Sequence, residues 1–124
     1  MSLNKLDIDA ADNFLKMAAK EIKNKNYHLV NYKYYNGRKI RAVELLLKIG
    51  ITNVDDIWNY ILNLTKEECI DVSFDHDPMR DTNTEVYEFK TIINNHLVYI
   101  KLTIRNKLVC MSFHDDYYRS LEVD

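Results

Sequence analysis

Glu85-Val86-Tyr87-Glu88-Phe89-Lys90-Thr91-Ile92-Ile93, then Asn94-Asn95, then His96-Leu97-Val98-Tyr99-Ile100-Lys101-Leu102-Thr103-Ile104-Arg105, then Asn106-Lys107, then Leu108-Val109-Cys110-Met111-Ser112-Phe113-His114: this stretch decides the fold. Three β-rich runs are separated twice by a pair of turn-favouring residues, the pattern of an antiparallel meander. With two-residue turns, Ile93 opposes His96, Lys90 opposes Tyr99 and Glu88 opposes Lys101. Across the second turn, Arg105 opposes Leu108, Thr103 opposes Cys110, Lys101 opposes Ser112 and Tyr99 opposes His114. Tyr87, Phe89, Val98, Ile100, Leu102, Ile104, Val109, Met111 and Phe113 then share one apolar face. The other face carries Lys90, Tyr99 and His114 in a row across three strands, with Glu88, Lys101 and Ser112 in the row beside it. A slip of one residue in either turn would send the charges inward, so the pattern itself selects this register.

Upstream, Asp9 to about Asn24 has the spacing of an amphipathic helix with Asp7 or Asp9 as its N-cap. Phe14, Leu15, Ala18, Ala19 and Ile22 lie on its inner stripe. Tyr27 to Tyr35 reads as a short strand ending in the Asn36-Gly37 turn; its tyrosines, interleaved with cations, also suit stacking on nucleobases. Arg38 to Ile49 reads as a second helix, with Gly50 at its C′ position. Arg38, Lys39 and Arg41 in its first turn oppose the helix dipole, which suits either a ligand or a plain solvated face. A third helix starts at Asn53 and buries Val54, Ile57, Trp58, Ile61 and Leu62. Thr65 and Glu68 form a capping box for a short helix running to about Val72. Ser73 to Thr84 has no clear period and reads as a long polar loop.

At 124 residues the chain is one domain, 1–124: a helical half at about 7–72, a loop at 73–84 and a meander at about 85–114. The fold class is α+β, with helices packed on one face of a C-terminal antiparallel sheet of three or more strands. A net charge of -2 argues against a general nucleic-acid binder, although Arg38, Lys39, Arg41 and Lys48 cluster locally, as do Lys101, Arg105 and Lys107. Cys69 and Cys110 form no paired motif, and no apolar run is long enough to span a bilayer, so a cytoplasmic protein with reduced thiols is expected. Asp75-His76-Asp77 lacks a second ligand cluster at zinc or calcium spacing, so no metal and no cofactor is expected.

The polar row is the strongest chemical lead. A lysine, a tyrosine and a histidine within mutual reach suit RNA cleavage without a metal. The 2′-hydroxyl must lose a proton, the phosphorane needs cations, and the 5′-oxygen needs a proton donor. His114 suits either proton transfer; Tyr99 and Lys90 complete the row, and Lys101 and Arg105 offer phosphate contacts. His76 and Arg80, on the polar loop, are further candidates to contact RNA. The plainer alternative is the ordinary wet face of a sheet.

Leu45-Leu46-Leu47-Lys48-Ile49-Gly50-Ile51, Ile61-Leu62-Asn63-Leu64 before Thr65-Lys66-Glu67-Glu68, Asp75-His76, His96 to Ile104 and Leu108 to Phe113 together resemble the MqsR family of bacterial toxins. The likeness covers about Arg41 to Asp115. It implies a RelE-like α+β fold, metal-free and ribosome-independent, sequence-selective cleavage of single-stranded mRNA at short motifs, a cognate antitoxin partner and a bacterial cytoplasmic location. By it, Tyr99 matches the family's active-site tyrosine, His114 its basic residue after Ser-Phe, and Lys90 its cation after Val-Tyr. The chain departs from the family at Asp71 and Thr84, which stand where functional lysine and glutamine are expected. The alternative is a catalytically silent interaction module of the same fold; a small-ligand sensor using the Asp75–Arg80 loop is a third.

Overall fold

Asn4 turns its side-chain oxygen onto the amide of Asp7 at 2.8 Å and so starts the first helix, α1 (Lys5–Lys23), earlier than the Asp7 or Asp9 cap expected. The computed structural model describes residues 4–77 and 82–123, with only the backbone for residues 6, 75–77, 82, 83 and 123. Ala11, Phe14 and Ala18 form the buried stripe of α1, and Phe14 stacks on Tyr87 with ring centroids 4.1 Å apart.

Next come β1 (Tyr27–Leu29), β2 (Tyr32–Tyr35) and β3 (Arg38–Arg41). Asn36 and Gly37 both have positive φ, 51° and 81°, the backbone of a tight hairpin whose twist matches its strands. That turn demands a strand on each side, and Arg38 to Arg41 supply one by pairing with Tyr32 to Tyr35. The helix expected over Arg38–Ile49 therefore begins only at Ala42, as α2 (Ala42–Lys48). Arg38 and Lys39 lie on a strand away from the helix, whereas Arg41 is the N-cap residue of α2 and pairs with Glu44 of its first turn at 3.2 Å.

A 3-10 turn (Val54–Asp56), capped by Asn53, leads into α3 (Ile57–Leu62), where Trp58 is buried and stacks on Tyr27 at 4.1 Å. The Thr65–Glu68 capping box closes one 3-10 turn, not the helix expected through Val72. Chain that was expected to be helix and then loop instead forms β4 (Cys69–Asp77), antiparallel to β5 (Thr82–Ile93). Alternation of Ile70, Val72 and Phe74 with polar residues is strand-like, but the polar content hides it. Ladder pairing continues through Phe74 with Glu85 and Asp75 with Thr84, so most of the expected loop is sheet.

β6 (His96–Ile104) and β7 (Leu108–Asp115) complete a five-stranded sheet in the order β1-β7-β6-β5-β4. The sheet is mixed, because β1 runs parallel to β7 with Tyr27 beside Leu108. Asn94 and Asn95, both at positive φ, make the expected two-residue turn, and Lys90 opposes Tyr99 as expected. The second turn takes three residues, Arg105 to Lys107, so that Ile104, not Arg105, opposes Leu108. Met111 is then an extra residue opposite the Lys101/Leu102 step, a bulge that restores the pairs Lys101–Ser112 and Tyr99–His114. Between turn and bulge the strand is flipped relative to expectation. Leu108 and Cys110 are fully buried in the core, while Val109, opposite Thr103, and Met111 are only half-buried.

α1, α2 and α3 all pack into one apolar cluster with Tyr87, Phe89, Val98, Ile100, Leu102, Leu108, Cys110 and Phe113, on one face of the sheet. Both cysteines are free and buried, and burial first of all raises their thiols, Cys69 to about 11 and Cys110 to about 12, which makes them inert. The opposite face is covered by a second, three-stranded sheet of order β3-β2-β8, where β8 (Glu122–Val123) follows a 3-10 turn (Asp116–Leu121). No helix of the described residues is long and apolar enough to cross a membrane.

Gly50 closes α2 at φ 81°, where a Cβ would stand 3.0 Å from the Asn94 amide nitrogen that donates to the Ile49 carbonyl. Gly50→Ala is expected to cost about 1–2 kcal/mol from the left-handed backbone alone. A shifted midpoint in urea denaturation checks it, and an unshifted one refutes it.

Candidate active site

The polar row assembles as the spacing predicts. Lys90 on β5, Tyr99 on β6 and His114 on β7 are successive cross-strand partners, and Glu88, Lys101 and Ser112 form the adjacent row. Side chains so paired have Cβ atoms about 5 Å apart. The Tyr99 and His114 rings lie 5.5 Å apart, centroid to centroid.

The expectation of a wet face is overturned. His114 is 0% exposed, Tyr99 2% and Ser112 3%. Tyr35 meets the imidazole edge-on at 5.4 Å and Tyr118 at 6.0 Å, so that with Tyr99 three aromatic rings enclose it. The cause is the segment after His114: it folds back, pairs Glu122 with Tyr35 across β8 and β2, and seals the row.

That segment brings carboxylates to Lys33, His114 and Lys90. Glu122 receives Lys33 Nζ at 2.5 Å, lies 3.2 Å from His114 Nε2 and accepts from the Ser112 hydroxyl. Asp116 lies 3.2 Å from Lys90 Nζ. Arg119 sits 3.9 Å from Glu88 and 5.1 Å above the Tyr99 ring. His114 Nδ1 faces the Asp115 carbonyl at 2.8 Å. A carbonyl and a carboxylate only accept, so both hydrogen bonds are made when both ring nitrogens carry hydrogen.

Burial alone would push the Glu122 carboxyl up, but hydrogen bonds from His114, Lys33 and Ser112 and the charge of Lys33 hold it at about 2. Burial, followed by the hydrogen bond to Glu88, drives the Tyr99 phenol well above its usual range, so Tyr99 is a hydrogen-bond donor and not a base. Burial likewise raises Glu88, with Tyr99 and Arg119 pulling against it and Asp71 reinforcing it. A carboxyl raised in this way is suited to accept a proton.

Of the other candidates, Lys101 stands in the adjacent row, and Arg105 and His76 lie far along the sheet. Lys101 is two residues along β6 from Tyr99, on the same face and half-buried. Arg105 lies in the β6–β7 turn, roughly 20 Å along β6 from Tyr99 at ~3.3 Å per residue. His76 pairs with Asn83 near the far end of the β4–β5 hairpin, roughly 23 Å along β5 from Lys90 by the same rise. The side chain of His76, and Arg80 altogether, lie outside the described residues. Among the described residues no three His, Cys, Asp or Glu side chains gather as a metal site requires; the side chains of Asp75-His76-Asp77 lie outside them.

No family model matches this chain, and no curated protein or solved structure matches it either. The site is read from its own geometry. Sequence reasoning missed Lys33, Tyr35, Asp116, Tyr118, Arg119 and Glu122, all from the second sheet or the turn that feeds it. One signal was available: an acidic and aromatic stretch, Asp115-Asp116-Tyr117-Tyr118, directly after a proton-transfer candidate.

Proposed function

We propose that this protein is a metal-independent endoribonuclease, the toxin of a type II toxin–antitoxin pair with a RelE-like cleavage face, at rest in a closed state. The observation that carries this reading is the adjacency of Glu88, Lys90, Tyr99 and His114 on three neighbouring strands. In the proposed reaction the ribose 2′-oxygen attacks the adjacent phosphorus and the bond from phosphorus to the 5′-oxygen breaks. Glu88 takes the 2′ proton and His114 delivers one to the departing 5′-oxygen, leaving a 2′,3′-cyclic phosphate and a 5′-hydroxyl. Tyr99 donates a hydrogen bond to a phosphate oxygen, and Lys90, Lys101 and Lys33 neutralise the phosphorane. Arg119 lies on the C-terminal segment and would leave the row with it.

The closed state supports the reading in its own way. Asp116 and Glu122 place carboxylate oxygens on Lys90, Lys33 and His114, the groups an incoming phosphate would use. On this proposal single-stranded mRNA competes with the protein's own C-terminal acids, and a cognate antitoxin restrains the enzyme in the bacterial cytoplasm. The complete enclosure of His114 favours a second reading, a catalytically silent interaction module in which the histidine is a structural residue.

Incubation with single-stranded RNA in EDTA separates the two. The expected result is cyclic-phosphate products, reduced about 100-fold or more by Tyr99→Phe, within the loss typical for one oriented donor. No products from the wild type or from a Glu122→Gln variant would leave the silent module as the answer.

A further inference from the structure

The row and its lid leave one feature of the chain unused: the outer face of the β2–β3 hairpin. Strand alternation sends Lys33 and Tyr35 inward to the Glu122 network and Tyr32 and Tyr34 outward. Tyr32 opposes Arg41 and Tyr34 opposes Lys39, so two tyrosines and two cations share the outer face, with exposed Arg38 at the turn. Tyr32 and Tyr34 are 46% and 49% exposed, a large aromatic area for two neighbouring residues. Their rings meet edge to face at 6.3 Å, and Lys39 Nζ lies 4.0 Å over the Tyr32 ring. Of these cations, Arg41 is paired with Glu44 at 3.2 Å.

We infer that this face is a stacking platform for single-stranded RNA, separate from the cleavage row. Nothing in the fold requires two exposed tyrosines there; the core-directed side of the hairpin is already supplied by Tyr35 and Ile40. The occupant is set by complementarity. Aromatic rings spaced along a strand take successive bases without regard to sequence, and cations beside them take the phosphates. Lys39 and Arg41 on this face, in a chain with net charge -2, give it a local positive charge suited to a polyanion, and exposed Arg38 adds to it from the turn. A folded duplex would hide the base faces that the rings address, so the ligand is single-stranded. Because β2 carries this platform on one side and the groups closing over His114 on the other, RNA held here is held next to the lid.

The test is fluorescence anisotropy with a labelled 2′-O-methyl oligouridylate, which lacks the free 2′-hydroxyl and cannot be cut. The wild type should bind, more weakly as salt rises. Tyr32→Ala with Tyr34→Ala should weaken binding at least ~10-fold, given about 1–3 kcal/mol per stacked base. Lys39→Gln should lower the slope of log affinity against log salt by about 0.7, the contribution of one phosphate contact on a single strand. These side chains are exposed, and an unchanged thermal melt will show that each variant is folded. Absence of binding by the wild type, or an affinity and salt slope untouched in both variants, overturns the inference; so does binding only to a protein partner. Uncleavable RNA bound through Tyr32 and Tyr34 by a protein that cuts nothing would keep the platform and remove the nuclease. Cleavage with binding indifferent to the hairpin would do the reverse.

Discussion

Glu122→Gln is expected to lower the stability of this protein by about 3 kcal/mol at pH 7 and to raise its rate of RNA cleavage. The first figure is reached in two ways from the same contacts. A carboxyl held at about 2 instead of its ordinary 4.5 is stabilised in the folded state, at 1.36 kcal/mol per unit, by about 3 kcal/mol. Removing one member of a buried ion pair costs a similar ~3–5 kcal/mol, because the partner is left uncompensated. Here two partners are stranded, Lys33 and His114, whose side chains are 13% and 0% exposed. The sign of the pH dependence follows from the lowered pKa. Glu122 contributes fully above about pH 5, and the contribution fades as pH falls through about 2. Urea titrations of both proteins from pH 7 toward pH 2 should therefore show the gap between them closing. Equal midpoints at pH 7 would mean that Glu122 does not hold the lid. The gain in cleavage follows because the pairing of β8 with β2 loses its main polar anchor, exposing the row. Greater stability loss with no change in cleavage would separate the lid from catalysis.

How much of this could be read from the sequence depends on the range of the interactions. The β5–β6 register was legible to the residue, because Asn94-Asn95 is a local turn signal and the flanking alternation fixes the faces. β7 was legible only from Ser112 onward. A three-residue turn and a bulge are each invisible in the alternation, and together they cancel, so the row survived while Leu108 and Cys110 changed faces with Val109 and Met111. Arg38 to Arg41 were misread because Leu45, Leu46 and Ile49 give a strong helical period that the eye extends backwards; the Asn36-Gly37 turn was the better local guide. β4 was missed because its strand character depends on pairing with β5, a tertiary matter that outweighs weak local propensity. The closing of the row was the least legible. It depends on Glu122 meeting Lys33, residues far apart in the chain, and no local pattern encodes that contact.

His114→Gln, made in the Glu122→Gln background, is expected to lower cleavage by about 10²–10⁴-fold, the usual worth of a positioned proton donor. The double variant matters because the single one is ambiguous. In the closed protein His114 packs against three tyrosine rings and bonds to Glu122 and the Asp115 carbonyl, so replacing it alone disturbs folding and chemistry together. In the Glu122→Gln background Lys33 has already lost its carboxylate, so glutamine at position 114 strands no further charge, and the added cost to folding should shrink. What is lost is the proton for the 5′-oxygen. Single-turnover cleavage of a defined RNA, read as 2′,3′-cyclic phosphate, measures that step apart from product release. Glu88→Gln in the same background should remove a comparable factor by abolishing the base, whereas Arg105→Gln, roughly 20 Å down β6, should leave the rate nearly unchanged. A rate retained without His114 but lost without Glu88 would move the proton donor to another group, with Tyr99 the nearest in the row. Retention without either would mean that the adjacency on β5, β6 and β7 is architecture alone. The enclosed imidazole would then serve as the polar pin that fixes the small sheet to the large one.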